Sequence, residues 1–269
     1  MIMTSFDNRT CLDKIGLGLG QRVADHAMRK GELHLVCRVG DVNIGYCYIR
    51  KNACSSFKRL FLDMGEKTYR KEEWPRKIDY MIANQMMRSA NASDCDRIIF
   101  VYRDPVERII SLFKNKFIQR KGHEDIFRNY RDLTGAAPEQ ATFRHFVLDY
   151  LRPDFRSLDL HLLPQSWHLK RHFYTDAIPM GNLHARMIEI VGQEIADRYF
   201  SKPTNTTQQS RAVDMTNCIE IPANKLAAVY ESSVAMPANN SFLDPEIRTR
   251  LEALYADDFH MISVIETAG

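Results

Sequence analysis

The stretch "YIRKNACSSF" (residues 48–57) places Arg50 and Lys51 at the end of an apolar run, then five short side chains, then the start of a helical stripe. A helix N-terminus leaves backbone N–H groups without partners and carries partial positive charge, so a strand that turns into one offers donors to an anion. In Lys51-Asn52-Ala53-Cys54-Ser55-Ser56 the small side chains leave those amides approachable, the hydroxyls of Ser55 and Ser56 add donors, and Lys51 supplies a point charge. Phosphate or sulfate suits such a cradle; an ordinary turn capped by serine uses the same residue types. The GxxxxGK[ST] phosphate loop is excluded, because counting from Gly45 gives Arg50-Lys51-Asn52 where Gly-Lys-Ser/Thr is required.

A second constellation follows "RIIFVY" (97–102): Arg103 stands at the strand's carboxyl end, and Ser111 lies on the helical stretch beyond it, with Arg108 and Asn115 on the same polar stripe. Two anion-ready turns at the ends of parallel strands suit a ligand with anionic groups at both extremities. The competing reading pairs Arg103 with Asp104 or Glu107 on a solvated surface.

The elements needed to position these residues are legible in the apolar pattern. "IGYCYI" (44–49) and "RIIFVY" read as buried strands, and "SFKRLFLDM" sets Phe57, Leu60, Phe61 and Met64 on one helical stripe. In "DPVERIISLFKNKF", Asp104 is an N-cap, Pro105 the first helical residue, and Val106, Ile109, Ile110, Phe113 and Phe117 the core stripe. "TFRHFVLDYL" reads as helix with His145 packed inside, "HFYTDAIP" as a short strand, and "NLHARMIEIVG" as a helix closed by Gly192. A final helix is capped by Asp244, with Ile247, Leu251, Leu254 and Tyr255 at helical spacing. The alternation predicts an α/β fold with a central, mostly parallel sheet flanked by helices, and one domain over 1–269. Residues 1–40 are expected to be peripheral and the core to span about 44–265; "GLGLGQ" (16–21) fails as a dinucleotide fingerprint because no strand precedes it.

These stretches carry a resemblance. "RKNACSSFKRL" resembles the 5′-phosphosulfate loop of the carbohydrate sulfotransferases in the sulfotransferase-2 family, and "RDPVERIISLFKNKF" is similar to that family's 3′-phosphate motif. "HLLPQ" (161–165) resembles its His-x-x-Pro-Gln segment and "LDPEIRTRLEALYADDF" its C-terminal helix, all in the right order from about Tyr46 to His260. The resemblance implies a P-loop-like sulfotransferase fold and the donor 3′-phosphoadenosine 5′-phosphosulfate (PAPS), released as 3′-phosphoadenosine 5′-phosphate (PAP), with no metal. It implies that Lys51, Asn52, Ala53, Cys54, Ser55, Ser56 and Phe57 bind the donor's 5′ end, and that Arg103 and Ser111 hold its 3′-phosphate. Asn205, Thr207 and Arg211 fall in the loop with which the family often closes over the nucleotide. Arg50 stands where the family has Pro, Cys54 where Ser or Gly is common, and Phe57 where it has Trp.

Sulfuryl transfer is then a matter of positioning and charge stabilisation, with Lys51 acting on the bridging oxygen as it leaves and a histidine accepting the hydroxyl proton. Of nine histidines, His161 lies in the motif beside Asp159, which can orient its ring; residues 60–102 contain none. His168 and Asp159 are the alternatives for the base. Gln165 and Trp167 are placed at the acceptor, and loops 119–140 and 231–243 are expected to shape its pocket. The acceptor that the resemblance implies is a hydroxyl on a glycan or glycoconjugate. An ATP/Mg-dependent kinase on a related fold and a non-catalytic nucleotide- or sulfated-glycan-binding module are the competing readings.

Composition sets the outer bounds. The chain has 269 residues, 45% hydrophobic and 26% charged, with a net charge of +3 too mild for wrapping nucleic acid. No apolar run approaches the roughly 18 residues of a membrane span, and the N-terminus lacks a signal-like apolar region, so a cytoplasmic location is expected. Six scattered cysteines without CxxC spacing read as reduced thiols rather than staples or a zinc site.

Overall fold

The computed structural model describes residues 33–88, 92–170, 173–201 and 211–268, together with the two-residue strand Phe6–Asp7. In chain order the main elements are β1 (His34–Val39), β2 (Val42–Cys47), α1 (Cys54–Met64), α2 (Lys77–Gln85), β3 (Arg97–Tyr102), α3 (Pro105–Phe113), α4 (Glu124–Thr134) and β4 (Asp176–Pro179). Helices α5 (Leu183–Val191), α6 (Gln193–Tyr199), α7 (Ala223–Ser233), α8 (Pro245–Leu254) and α9 (Ala256–Ala268) complete the set. They fall into two compact units: Met1–Arg103, Gln165–Thr204 and His260–Gly269 form one, Asp104–Pro164 and Asn205–Phe259 the other.

The first unit holds the α/β core, a four-stranded sheet in the order β1-β2-β3-β4. Strand β1 runs antiparallel to β2 through a two-residue hairpin, where Gly40 takes φ 59, the left-handed backbone that such loops favour at their first position. The other two pairings are parallel: Ile44 to Tyr46 face Arg97 to Ile99, and Ile99 to Tyr102 face Asp176 to Pro179. The β3 residues alternate between two buried faces, and that is why its sequence is a continuous apolar run. Ile99 and Val101 pack with Tyr46, Phe57, Leu60, Phe61 and Met187 on one side; Ile98, Phe100 and Tyr102 pack with Leu169, Tyr174, Met261 and Ile265 on the other.

One element differs from expectation. Residues 34–39, read as part of a peripheral segment, form an edge strand in which Leu35 and Val39 are buried. Of the remaining N-terminal residues only the Phe6–Asp7 pairing with Phe173–Tyr174 is described; "GLGLGQ" and Cys11 lie outside the described residues.

In the second unit α3 begins as its sequence dictates. The Asp104 side chain accepts from the Glu107 amide at 2.9 Å, and Pro105 occupies the first turn, where a missing N–H costs nothing. After Phe113 the helix widens into a π turn, Lys114–Ile118, that keeps Phe117 stacked on Phe113 at 5.0 Å between ring centres. These rings join Phe127, Tyr130, Phe143, Phe146 and Phe242 in an aromatic core. His145, read as packed, is exposed on the outer side of its short helix. The Asp244 cap of α8 accepts from Glu246 and Ile247 as expected. Among the described residues, no helix is long and apolar enough to cross a membrane, and no group of three or more His, Cys, Asp or Glu side chains is placed to hold a metal ion.

Candidate functional site

The turn between β2 and α1 departs from an ordinary capped helix start. Its N-cap is Ala53, in the left-handed region at φ 55, and no side chain caps the helix end; Lys51 is left-handed too, at φ 71. Ser55 and Ser56 lie inside the first turn rather than at the cap. Left-handed backbone costs a non-glycine residue about 1–2 kcal/mol, and such strain persists where surrounding structure enforces it, often at a site of function. Alternating backbone of this kind builds anion-binding nests. The replacement Ala53→Gly is therefore expected to stabilise the protein by about 1 kcal/mol or less, once glycine's entropy is deducted; urea unfolding that shows a loss would contradict the strain.

The cradle rests on a ring stack. Phe57 is fully buried, lies flat on Tyr46 at 3.8 Å and meets Phe61 and Phe200 edge-on. It was expected among the donor-binding residues; with its faces taken up by core rings it supports the turn from beneath instead. Arg50 sits over the Tyr48 ring at 5.5 Å, so the residue standing in place of the family's Pro keeps its charge at the entrance. Lys51, Ala53, Cys54 and Ser55 are half-buried, and Ser56 is buried.

Asn52 and Gln165 join this turn to the end of β3. Asn52 is fully buried; its Nδ2 donates to the Val101 carbonyl at 2.8 Å and to Gln165 Oε1 at 2.5 Å. Gln165, also fully buried, accepts the Arg103 N–H at 3.0 Å and returns Nε2 to the Arg103 carbonyl at 2.8 Å. Gln165 was placed at the acceptor; its amide is committed instead to the backbone of the residue that carries the second cation. The pairing was missed because nothing in the sequence links positions 52, 103 and 165.

In the second unit His161 is held from several directions. Asp159 Oδ1 accepts from the His161 amide at 2.8 Å and lies 2.6 Å from Nδ1. The Asp159 amide donates to Asn129 Oδ1 at 2.9 Å, and Tyr150 donates to the same oxygen. Arg108 was expected on a polar stripe with Ser111. It is instead fully buried, with Nη2 donating to the carbonyls of His161 and Leu163, while the Tyr255 hydroxyl donates to that of Leu162. A carboxylate on Nδ1 fixes the tautomer with its proton there and leaves Nε2 as the acceptor, and the His161 side chain keeps 26% of its surface exposed.

Residues 36–262 match the model of the Sulfotransferase family. The chain belongs to that family. It is 27% identical over 142 residues to carbohydrate sulfotransferase 14 of Mus musculus and 26% identical to that of Homo sapiens, covering 44% of this chain and 35% of each relative. The match thus spans about a third of the length of these curated relatives. No solved structure matches significantly.

Other expected site residues of this sulfotransferase-family chain are distributed as follows. Ser111 is half-buried on α3, and Trp167 is half-buried in the turn Ser166–His168. His168, the alternative base, is fully buried in the first unit. Arg211 is exposed in the strand Arg211–Val213, which pairs with Ala235–Pro237; Asn205 and Thr207 lie outside the described residues. Burial pushes the thiols of Cys37 and Cys218 up to about 12, which leaves them inert near neutral pH.

Proposed function

We propose that the protein transfers the sulfuryl group of PAPS to a hydroxyl of a carbohydrate or glycoconjugate, without a metal. The observation that carries this reading is the uncapped, left-handed start of α1 at Lys51–Ala53, tied by side chains to the strand end that bears Arg103. In the reaction, a bond forms between the acceptor oxygen and sulfur, the bond between sulfur and the bridging oxygen of the 5′-phosphate breaks, and the hydroxyl proton passes to the base. Lys51 and the amides of the α1 start stabilise charge on the leaving oxygen. His161 accepts the proton at Nε2, with Asp159 stabilising the imidazolium. Arg103 and Ser111 hold the 3′-phosphate. The carbohydrate acceptor is supported by the name of the relatives, carbohydrate sulfotransferase 14.

Ligand-induced stabilisation provides the first check. PAP without metal is expected to raise the melting temperature by several degrees at saturating concentration, and ATP with magnesium to do far less. The reverse order would replace this reading with that of a kinase. Transfer of labelled sulfate from PAPS onto a panel of glycans, lipids and small phenols then identifies the acceptor class.

A further inference from the structure

The β2–β3 ladder ends at Tyr46 opposite Ile99, before either strand reaches its turn. Residues 101 and 103 have the same parity, so their backbone groups face one edge of β3, and what meets them there is side chain. Asn52 takes the Val101 carbonyl; Gln165 takes both the N–H and the carbonyl of Arg103, as a paired strand residue would. The orientation of both amides is dictated by the backbone. The Arg103 N–H can only donate and its carbonyl only accept, so Gln165 must present Oε1 to the first and Nε2 to the second; Oε1 in turn demands the nitrogen of Asn52. Asn52 is left with a buried Oδ1 that has no hydrogen-bond partner, a cost accepted for the sake of position.

We infer that Gln165, with Asn52, is a crosspiece that holds the Lys51–Ala53 turn and Arg103 at a fixed separation, and so sets the selectivity for a nucleotide charged at both ends. The inference rests on the proposed donor reading. A ligand held at one end needs one turn in place. A ligand held at both gains from its second contact only if the separation is already correct, since an ordered pair of sites makes that contact effectively intramolecular. With the crosspiece gone, the ordering cost falls on the doubly charged ligand alone. Gln165 is thus a positioning residue.

The test compares PAP with adenosine 5′-phosphate by calorimetry on the full chain. The isosteric variant Gln165→Met is expected to lose roughly 10- to 100-fold in affinity for PAP and less than about 3-fold for adenosine 5′-phosphate. Asn52→Ala, which keeps the Gln165–Arg103 pairing, is expected to show the same selective loss at smaller size, and it carries the test if Gln165→Met does not fold. Tyr174→Phe, which removes the buried hydrogen bond with His34 and the hydroxyl that accepts from the Lys170 amide within the same unit, controls for general destabilisation and should leave the ratio of the two affinities unchanged. Equal losses for both ligands, or none, would overturn the crosspiece while leaving the donor assignment intact. A wild-type protein that binds neither ligand would remove the donor reading and the crosspiece with it.

Discussion

Replacing Lys51 by Ala is expected to lower turnover with PAPS by about 10²–10³-fold, the loss typical of removing one preorganised group aimed at developing charge. The side chain is half-buried and sits at the mouth of the β2–α1 turn, outside both core clusters of its unit, so the free energy of unfolding should change by no more than about 0.5 kcal/mol. Lys51→Arg separates charge from geometry. It keeps the cation but spreads it over a planar fork, and it should recover PAP binding better than turnover, because only the transition state needs a point charge at the bridging oxygen. Single-turnover rates and PAP affinity measured on both variants decide the matter. A Lys51→Ala enzyme with full single-turnover rate would take the residue out of the chemistry.

The parts of the fold that rest on local pattern were open to a reading of the sequence. Strand β3 is bounded as the run "RIIFVY" suggests because both its faces are buried, so apolar residues have no reason to alternate with polar ones. The caps of α3 and α8 were legible because Asp followed by Pro has a specific job at a helix start. Strand β1 was not, since its sequence HLVCRV mixes a histidine and an arginine into a short run whose pairing comes from the hairpin partner. The π turn after Phe113 was equally silent: residues 113 and 117 share a face in an α-helix as well, so the stripe does not tell the two apart. Nor does any linker mark the two units, because each is assembled from stretches far apart in the chain.

The candidate site divides in the same way. Residue types announce an anion cradle at 51–56, but the left-handed backbone at Lys51 and Ala53 contradicts their own preferences. Glycine would be the local choice there, and the conformation is imposed by the surrounding packing. Arg108 reads as a surface cation at its position in the helix and is in fact buried against two carbonyls, a partnership formed across 53 and 55 residues of chain. Gln165 has the same character, with its hydrogen bonds directed at backbone 62 residues away. Long-range hydrogen bonds to backbone leave no periodic trace, which is why these supports were hidden.

If His161 is the proposed base, His161→Ala is expected to reduce the rate of transfer by about 10²–10⁴-fold, the contribution of a general base, while PAP affinity stays within about twofold of wild type, because a base acts on the acceptor's proton and not on the nucleotide. Asp159→Asn is the informative companion. It removes the negative charge beside Nδ1 and unsettles the tautomer that the 2.6 Å contact enforces, so it should cost turnover less than His161→Ala and again spare PAP binding. If both variants transfer sulfate at the wild-type rate, proton removal belongs to another residue, and the Asp159–His161 pair does no more than fasten the loop that Arg108 and Tyr255 already hold by its carbonyls.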